Sequence, residues 1–270
     1  MHKLFLCLIL FSLSTIAFSQ DGSFSFGARS AGLGGASITL ADEYSLFNNI
    51  GGLGRVEAHT LFAGYQNRFN LSEFQVIGGG GIFHHKLANA GIGYYKFGDD
   101  LFSQQKLHLA IGNTFQMVSL GLGVDWVQYD ISSVGTQQVF ALQFGGIAEI
   151  TKQFVFGAHI FNINQATLVS ESDEQLPTVM KAGFSYRPTE ELMLNAELEK
   201  DLDFPQVFKA GIEYQIVDHV FARTGIQTEP FQGAFGVGFH PKKLKFDYAF
   251  VSNSNLGNVH EISLAYSFKK

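Results

Sequence analysis

Beyond residue 56 the chain alternates apolar and polar side chains with a period of two, segment after segment. Successive residues of a strand point to opposite faces, so each such segment has one apolar face and one polar face. In QVFKAGIEY, Phe208, Ala210, Ile212 and Tyr214 share a face opposite Val207, Lys209, Gly211 and Glu213. In LKFDYAFV, Leu244, Phe246, Tyr248 and Phe250 oppose Lys245, Asp247, Ala249 and Val251, and LMLNAELE and HEISLAYSF repeat the scheme. The pattern predicts about fourteen strands. They cover 57–68, 72–84, 89–98, 103–115, 118–129, 136–148, 153–164, 177–186, 190–199, 205–214, 217–227, 231–240, 243–252 and 257–268.

A length of about ten residues is that of a tilted strand crossing a bilayer. The connections alternate as well. Tight turns near Lys86-Leu87-Ala88, Thr151-Lys152, Pro188-Thr189 and Pro241-Lys242 take turns with the longer GDDLF, DISSVGT, ATLVSESDEQLP and SNSNLG. Outer-membrane barrels have short periplasmic turns and longer outward loops, and an even strand number keeps both termini periplasmic. A soluble sandwich would show the same alternation with its polar faces in water. Here the apolar faces are nearly free of charge, and the chain ends in an aromatic strand, Tyr266-Ser267-Phe268. The expected fold is therefore all-β, a transmembrane antiparallel up-and-down β-barrel. Closure meets the need to pair every backbone group in lipid.

The first residues, MHKLFLCLILFSLSTIAFSQ, place Lys3 before an apolar run and Ala17-Phe18-Ser19 before Gln20. They read as a secretory signal peptide over 1–19, leaving an N-terminal segment 20–56 and a barrel 57–270. Cys7 is the only cysteine, so the mature chain is expected to carry no thiol and no disulfide. The net charge of −6 argues against a nucleic-acid partner, which would need a basic stripe. Abundant Phe and Gly with scarce Pro favour strands, and 16% charge suits an outer surface facing membrane lipid.

Several charges fall on the inward faces. Lys181 is expected about opposite Glu197, and Glu213 within reach of Arg223. They could brace a wet or filled lumen or form a selectivity ring; no constriction is visible in the sequence, which favours bracing. His108 and Asp125 are expected opposite each other across the turn at Gln116-Met117. A triad would also need a nucleophile in a strained glycine-flanked elbow, and none is evident, so the pair reads as a structural hydrogen bond and the chain as no enzyme. His84-His85 are adjacent on a strand and point to opposite faces, so they cannot chelate a metal together. No metal and no cofactor are expected.

Two glycine stretches remain. The GLGG at 32–35 lacks the preceding strand and following helix of a dinucleotide loop. Ala28-Arg29-Ser30-Ala31-Gly32-Leu33-Gly34-Gly35-Ala36, then Leu40-Ala41-Asp42-Glu43, then Leu46-Phe47-Asn48-Asn49 and Gly51-Gly52-Leu53, resemble the N-terminal signature of PorV/PorQ-type barrels. Those are relatives of FadL-like fatty-acid transporters of bacterial outer membranes. The resemblance implies a fourteen-stranded barrel with its N-terminal segment folded into the lumen as a hatch. Arg29, Gly32, Gly34, Gly35, Asp42, Glu43, Asn48 and Asn49 would be hatch residues. Asn48-Asn49-Ile50-Gly51 departs from the family pattern in lacking its proline. Gly78-Gly79-Gly80-Gly81, in the second expected strand, mark either a wall made thin where the hatch packs or a kink that opens the wall sideways.

Two functions follow from the resemblance. One is an accessory subunit of an outer-membrane export machine of the type IX kind, whose partners would be secretion-system proteins. The other is a passive, hatch-gated route for a hydrophobic small molecule. A transporter predicts an apolar pocket between hatch and wall.

Overall fold

A computed structural model describes residues 25–133, 135–168, 176–253 and 256–268. The expected signal peptide, 1–19, lies outside the described residues, as does most of ATLVSESDEQLP. Fourteen strands close into one antiparallel barrel in which each strand pairs with its sequence neighbours and β1 pairs with β14. They are β1 (Thr60–Arg68), β2 (Gln75–Phe83), β3 (Asn89–Gly98), β4 (Phe102–Phe115), β5 (Val118–Ile131), β6 (Gly135–Glu149) and β7 (Phe154–Phe161). The second half comprises β8 (Val179–Tyr186), β9 (Leu192–Asp201), β10 (Val207–Val217), β11 (Val220–Gln227), β12 (Gln232–Phe239), β13 (Leu244–Asn253) and β14 (Gly257–Ser267). The alternation therefore located every strand, with β3 matched to the residue. The barrel leaves no free edge, the condition lipid imposes on a sheet.

Burial follows the same period. On β10, Phe208, Ile212 and Tyr214 are exposed while Val207, Lys209, Gly211 and Glu213 are buried. The exposed side chains are large and apolar on strand after strand, the inverse of a water-soluble fold and the pattern of a lipid-facing wall. Among the described residues no helix is long and apolar enough to cross a membrane.

Many of the most deeply buried residues belong to the segment before the first strand. It contains α1 (Ala28–Gly32), α2 (Ser45–Asn48) and a 3₁₀ turn, Ile50–Arg55. Phe26, Leu33, Leu46, Ile50 and Leu53 are fully shielded because they lie inside the barrel, against its strands. The segment winds round the inner wall against the strand order. Its α1 lies on β14, β13 and β12, its 3₁₀ turn on β6, β5 and β4, and α2 on β3. Every strand from β1 to β8 and from β10 to β12 presents to it an inward glycine. A Cβ at Gly211 would fall 2.5 Å from the Leu33 carbonyl oxygen, and one at Gly64 or Gly78 would meet the Phe26 ring at 2.8 and 2.9 Å. Backbone thus lies directly on backbone, which only glycine permits.

Candidate functional site

The lumen is the candidate site, and its contents differ from one side to the other. Against β9 to β14 the segment is held by charge. Arg29 on α1 donates from Nε and Nη2 to Glu213 at 2.8 and 2.6 Å and from Nη1 to Asp42 at 3.1 Å. Glu213 lies directly opposite Arg223, which donates to it at 2.6 Å and to Asp247 at 2.6 Å. His240 Nε2 also meets Asp247, at 2.9 Å. Lys245 donates to Glu43 at 2.6 Å. Wall carboxylates take the segment's backbone too: Glu261 accepts from Gly27 N–H at 2.6 Å, and Glu197 from Ser37 and Ile38 N–H at 2.8 and 2.9 Å. Such charge-assisted bonds fix both distance and direction.

Gly32, Gly34 and Gly35 follow α1. Gly34 and Gly35 have φ of +65° and +80°, a left-handed conformation that turns the chain against the backbone of Ile226 and the side chain of Lys209. Asn48 clasps Phe26 from both ends, its Oδ1 accepting the Phe26 N–H and its Nδ2 donating to the Phe26 carbonyl, each at 2.9 Å. Asn49 donates to the carbonyls of Ile38 and Gly146 and accepts from Gly51 N–H at 3.0 Å. The motif thus turns without the family's proline, by an asparagine side chain that closes on the residue two further on.

One expected pair is corrected. Lys181 is opposite Glu199, not Glu197, and its Nζ is 3.4 Å from the Glu199 carboxylate. The β8–β9 ladder begins at Tyr186 and Leu194, so residues 187–193 form the connection, a longer one than the tight turn at Pro188-Thr189 implies. Glu197 instead faces Lys209, which lies 3.4 Å from Glu197 and 2.6 Å from Glu199.

Across the barrel His108 and Asp125 are ladder partners with 2.5 Å between Nδ1 and Oδ1. Gln143 donates to both Asp125 oxygens at 2.9 Å and meets His159 Nε2 at 2.9 Å. The His108 ring packs edge-on against Phe47 of the segment, with centroids 4.6 Å apart. The pair is a hydrogen-bonded part of the wall.

Against β1 to β4 the contacts are mainly apolar, with Asn89 Nδ2 donating to the Leu53 and Val56 carbonyls at 2.8 and 2.7 Å and Tyr44 Oη to the Ala63 carbonyl at 2.8 Å. Phe26, Tyr44, Leu46, Phe47, Ile50, Leu53 and Val56 form one cluster with the wall's Phe62, Val76, Ile82, Tyr95 and Ala110. Phe26, Phe47 and Phe62 meet edge to face at 5.1 and 5.8 Å. Gly78 to Gly81 lie on this side. The β2 ladder runs through them to both neighbours without a register shift. The inward Gly78 and Gly80 give room to Phe26 and Phe62. Two clefts open among charged residues such as Arg29, Glu43 and Lys245, whereas the apolar cluster is buried.

Glu261, Asp247, Lys245 and Gln143 are functional candidates that the spacing of the sequence did not single out. Each has a partner in the segment or on a non-adjacent strand, which pairwise hairpin reasoning does not reach.

No family model and no curated protein matches the chain. Among solved structures it is similar to the toluene transporter TodX of Pseudomonas putida, with a TM-score of 0.67 and 12% identity over 91% of this chain and 99% of that one. It is also similar to the CymD monoaromatic hydrocarbon channel, with a TM-score of 0.63, 13% identity, and 90% and 98% covered. A FadL homologue of Pseudomonas aeruginosa gives a TM-score of 0.65 and 10% identity over 92% and 99%. At these identities the likeness is one of fold.

Proposed function

We propose that the chain is an integral outer-membrane protein that passes a hydrophobic small molecule, with residues 25–56 as a gate in its lumen and both termini periplasmic. The division of the gate's contacts carries the reading. Water-filled barrels have polar interiors, whereas here one side of the lumen, from β1 to β4, is an apolar and aromatic seam. Apolar contacts have no direction, so an apolar guest can part them and replace them at a similar gain of about 25 cal/mol per Å². The ion pairs and backbone hydrogen bonds on β9 to β14 would keep the gate's other edge in place meanwhile. The fold shared with a toluene transporter and a hydrocarbon channel supports the same reading. The alternative of a secretion subunit gains no support from these likenesses.

The test is uptake into intact cells whose outer leaflet excludes hydrophobes. Cells making the protein should take up a radiolabelled monoaromatic hydrocarbon or fatty acid faster than cells carrying an empty vector, and a sugar of similar size no faster. Equal uptake of the hydrophobes in both would refute the proposal.

A further inference from the structure

The outer face carries an ordered polar row at the upper edge of its apolar band. Lys96, Gln105, Gln128 and Gln138, on β3, β4, β5 and β6, are direct ladder partners in succession. All four point away from the lumen, with Lys96 and Gln138 exposed. Below them Tyr94, Trp126 and Phe140 form an aromatic tier. Tyr94 Oη donates to Gln105 at 2.8 Å, Trp126 Nε1 to Gln138 at 3.4 Å, and Gln138 to Gln128 at 3.2 Å.

The height of the row follows from the strands. On β5 the outward residues below Gln128 are Trp126, Val124, Leu122, Leu120 and Val118. From Val118 to Gln128 a strand tilted by roughly 40° rises about 25 Å, the height of the apolar band of such barrels. Above the row the sheet continues, with Asp130 and Thr136 as the next outward pair. Asp99, in the loop beside it, accepts the N–H of Phe102 and Leu101, which, with the Lys96 ammonium nearby, holds its carboxylate below the usual range.

We propose that this row and the aromatic tier beneath it bind the phosphorylated sugar headgroup of an outer-leaflet glycolipid. One molecule with acyl chains below and a polyhydroxylated head above matches both surfaces, which are continuous. Side-chain amides donate to and accept from sugar hydroxyls, aromatic faces stack on sugar rings, and the Lys96 ammonium meets a phosphate. A phospholipid head offers too few hydroxyls to engage three glutamines in line. The inference holds whether or not the lumen passes a hydrophobe.

Native mass spectrometry of the full chain in detergent, with a short-chain lipopolysaccharide or with phosphatidylglycerol added, tests it. The wild type should retain the glycolipid. The Gln105→Leu/Gln128→Leu/Gln138→Leu variant should retain it about tenfold less well or worse, as expected for several lost hydrogen bonds. Lys200→Leu, on the outer face of β9 across the barrel, should behave as wild type. Gln128→Leu alone, with a smaller loss, replaces the triple variant if heat-shifted gel mobility shows that the latter does not fold. Retention unchanged by the glutamine substitutions, or phosphatidylglycerol competing as well as the glycolipid, would overturn the proposal.

Discussion

Glu213 bridges two arginines, Arg29 of the lumenal segment and Arg223 of the wall, and is itself buried. Removing a carboxylate shared by two guanidinium groups costs both of them a charge-assisted partner at a site largely shielded from water. Glu213→Ala leaves Arg223 with Asp247 and Arg29 with Asp42. The variant should lose on the order of 3 kcal/mol in denaturant unfolding, and planar-bilayer recordings should show brief openings as α1 loosens. A loss near that of an exposed pair, under about 1 kcal/mol, would mean that the bridge does not hold the segment. At this scale the sequence was only partly legible. The Glu213–Arg223 and His108–Asp125 partners follow from counting across tight turns. Lys181 did not, because the β8–β9 ladder closes only at Tyr186 and Leu194, further from Pro188-Thr189 than a tight turn there would place it.

The strands and the segment were legible to different degrees for a physical reason. A strand between lipid and lumen must repeat its two faces every second residue, so the pattern is written locally. The segment has no period, since each of its residues answers to a different strand. Its clearest trace lies in the wall, in inward glycines such as Gly64, Gly121, Gly157 and Gly211, which would gain nothing from facing water. Taken singly they look like weak points in strands; only together do they mark the space another backbone fills. If the segment is what closes the lumen, deleting residues 21–53 should leave a folded barrel that conducts ions steadily in planar bilayers, while the full chain stays closed. A deleted barrel as tight as the full one would place the closure elsewhere.

The whole molecule joins a closed wall to a lumenal segment with one ionic and one largely apolar edge. Orientation is a property of this scale: a cysteine placed at Asp100, in the loop between β3 and β4, should be labelled by an impermeant maleimide on intact cells. One at Lys152, between β6 and β7, should be labelled only after the outer membrane is opened. The reverse pattern would invert the barrel. Cys7 is the one cysteine of the sequence, so an engineered pair would add the only other thiols. A Cβ at Gly112 would sit 3.1 Å from Leu53 Cβ, so Leu53→Cys/Gly112→Cys places two thiols at the apolar edge, close to the spacing a disulfide needs. The decisive measurement is hydrophobe uptake by this variant with the disulfide formed and after reduction. The reduced protein should take up the labelled hydrophobe at the wild-type rate and the oxidised protein no faster than the empty vector. Undiminished uptake through the locked form would show that no molecule passes between the segment and β1 to β4.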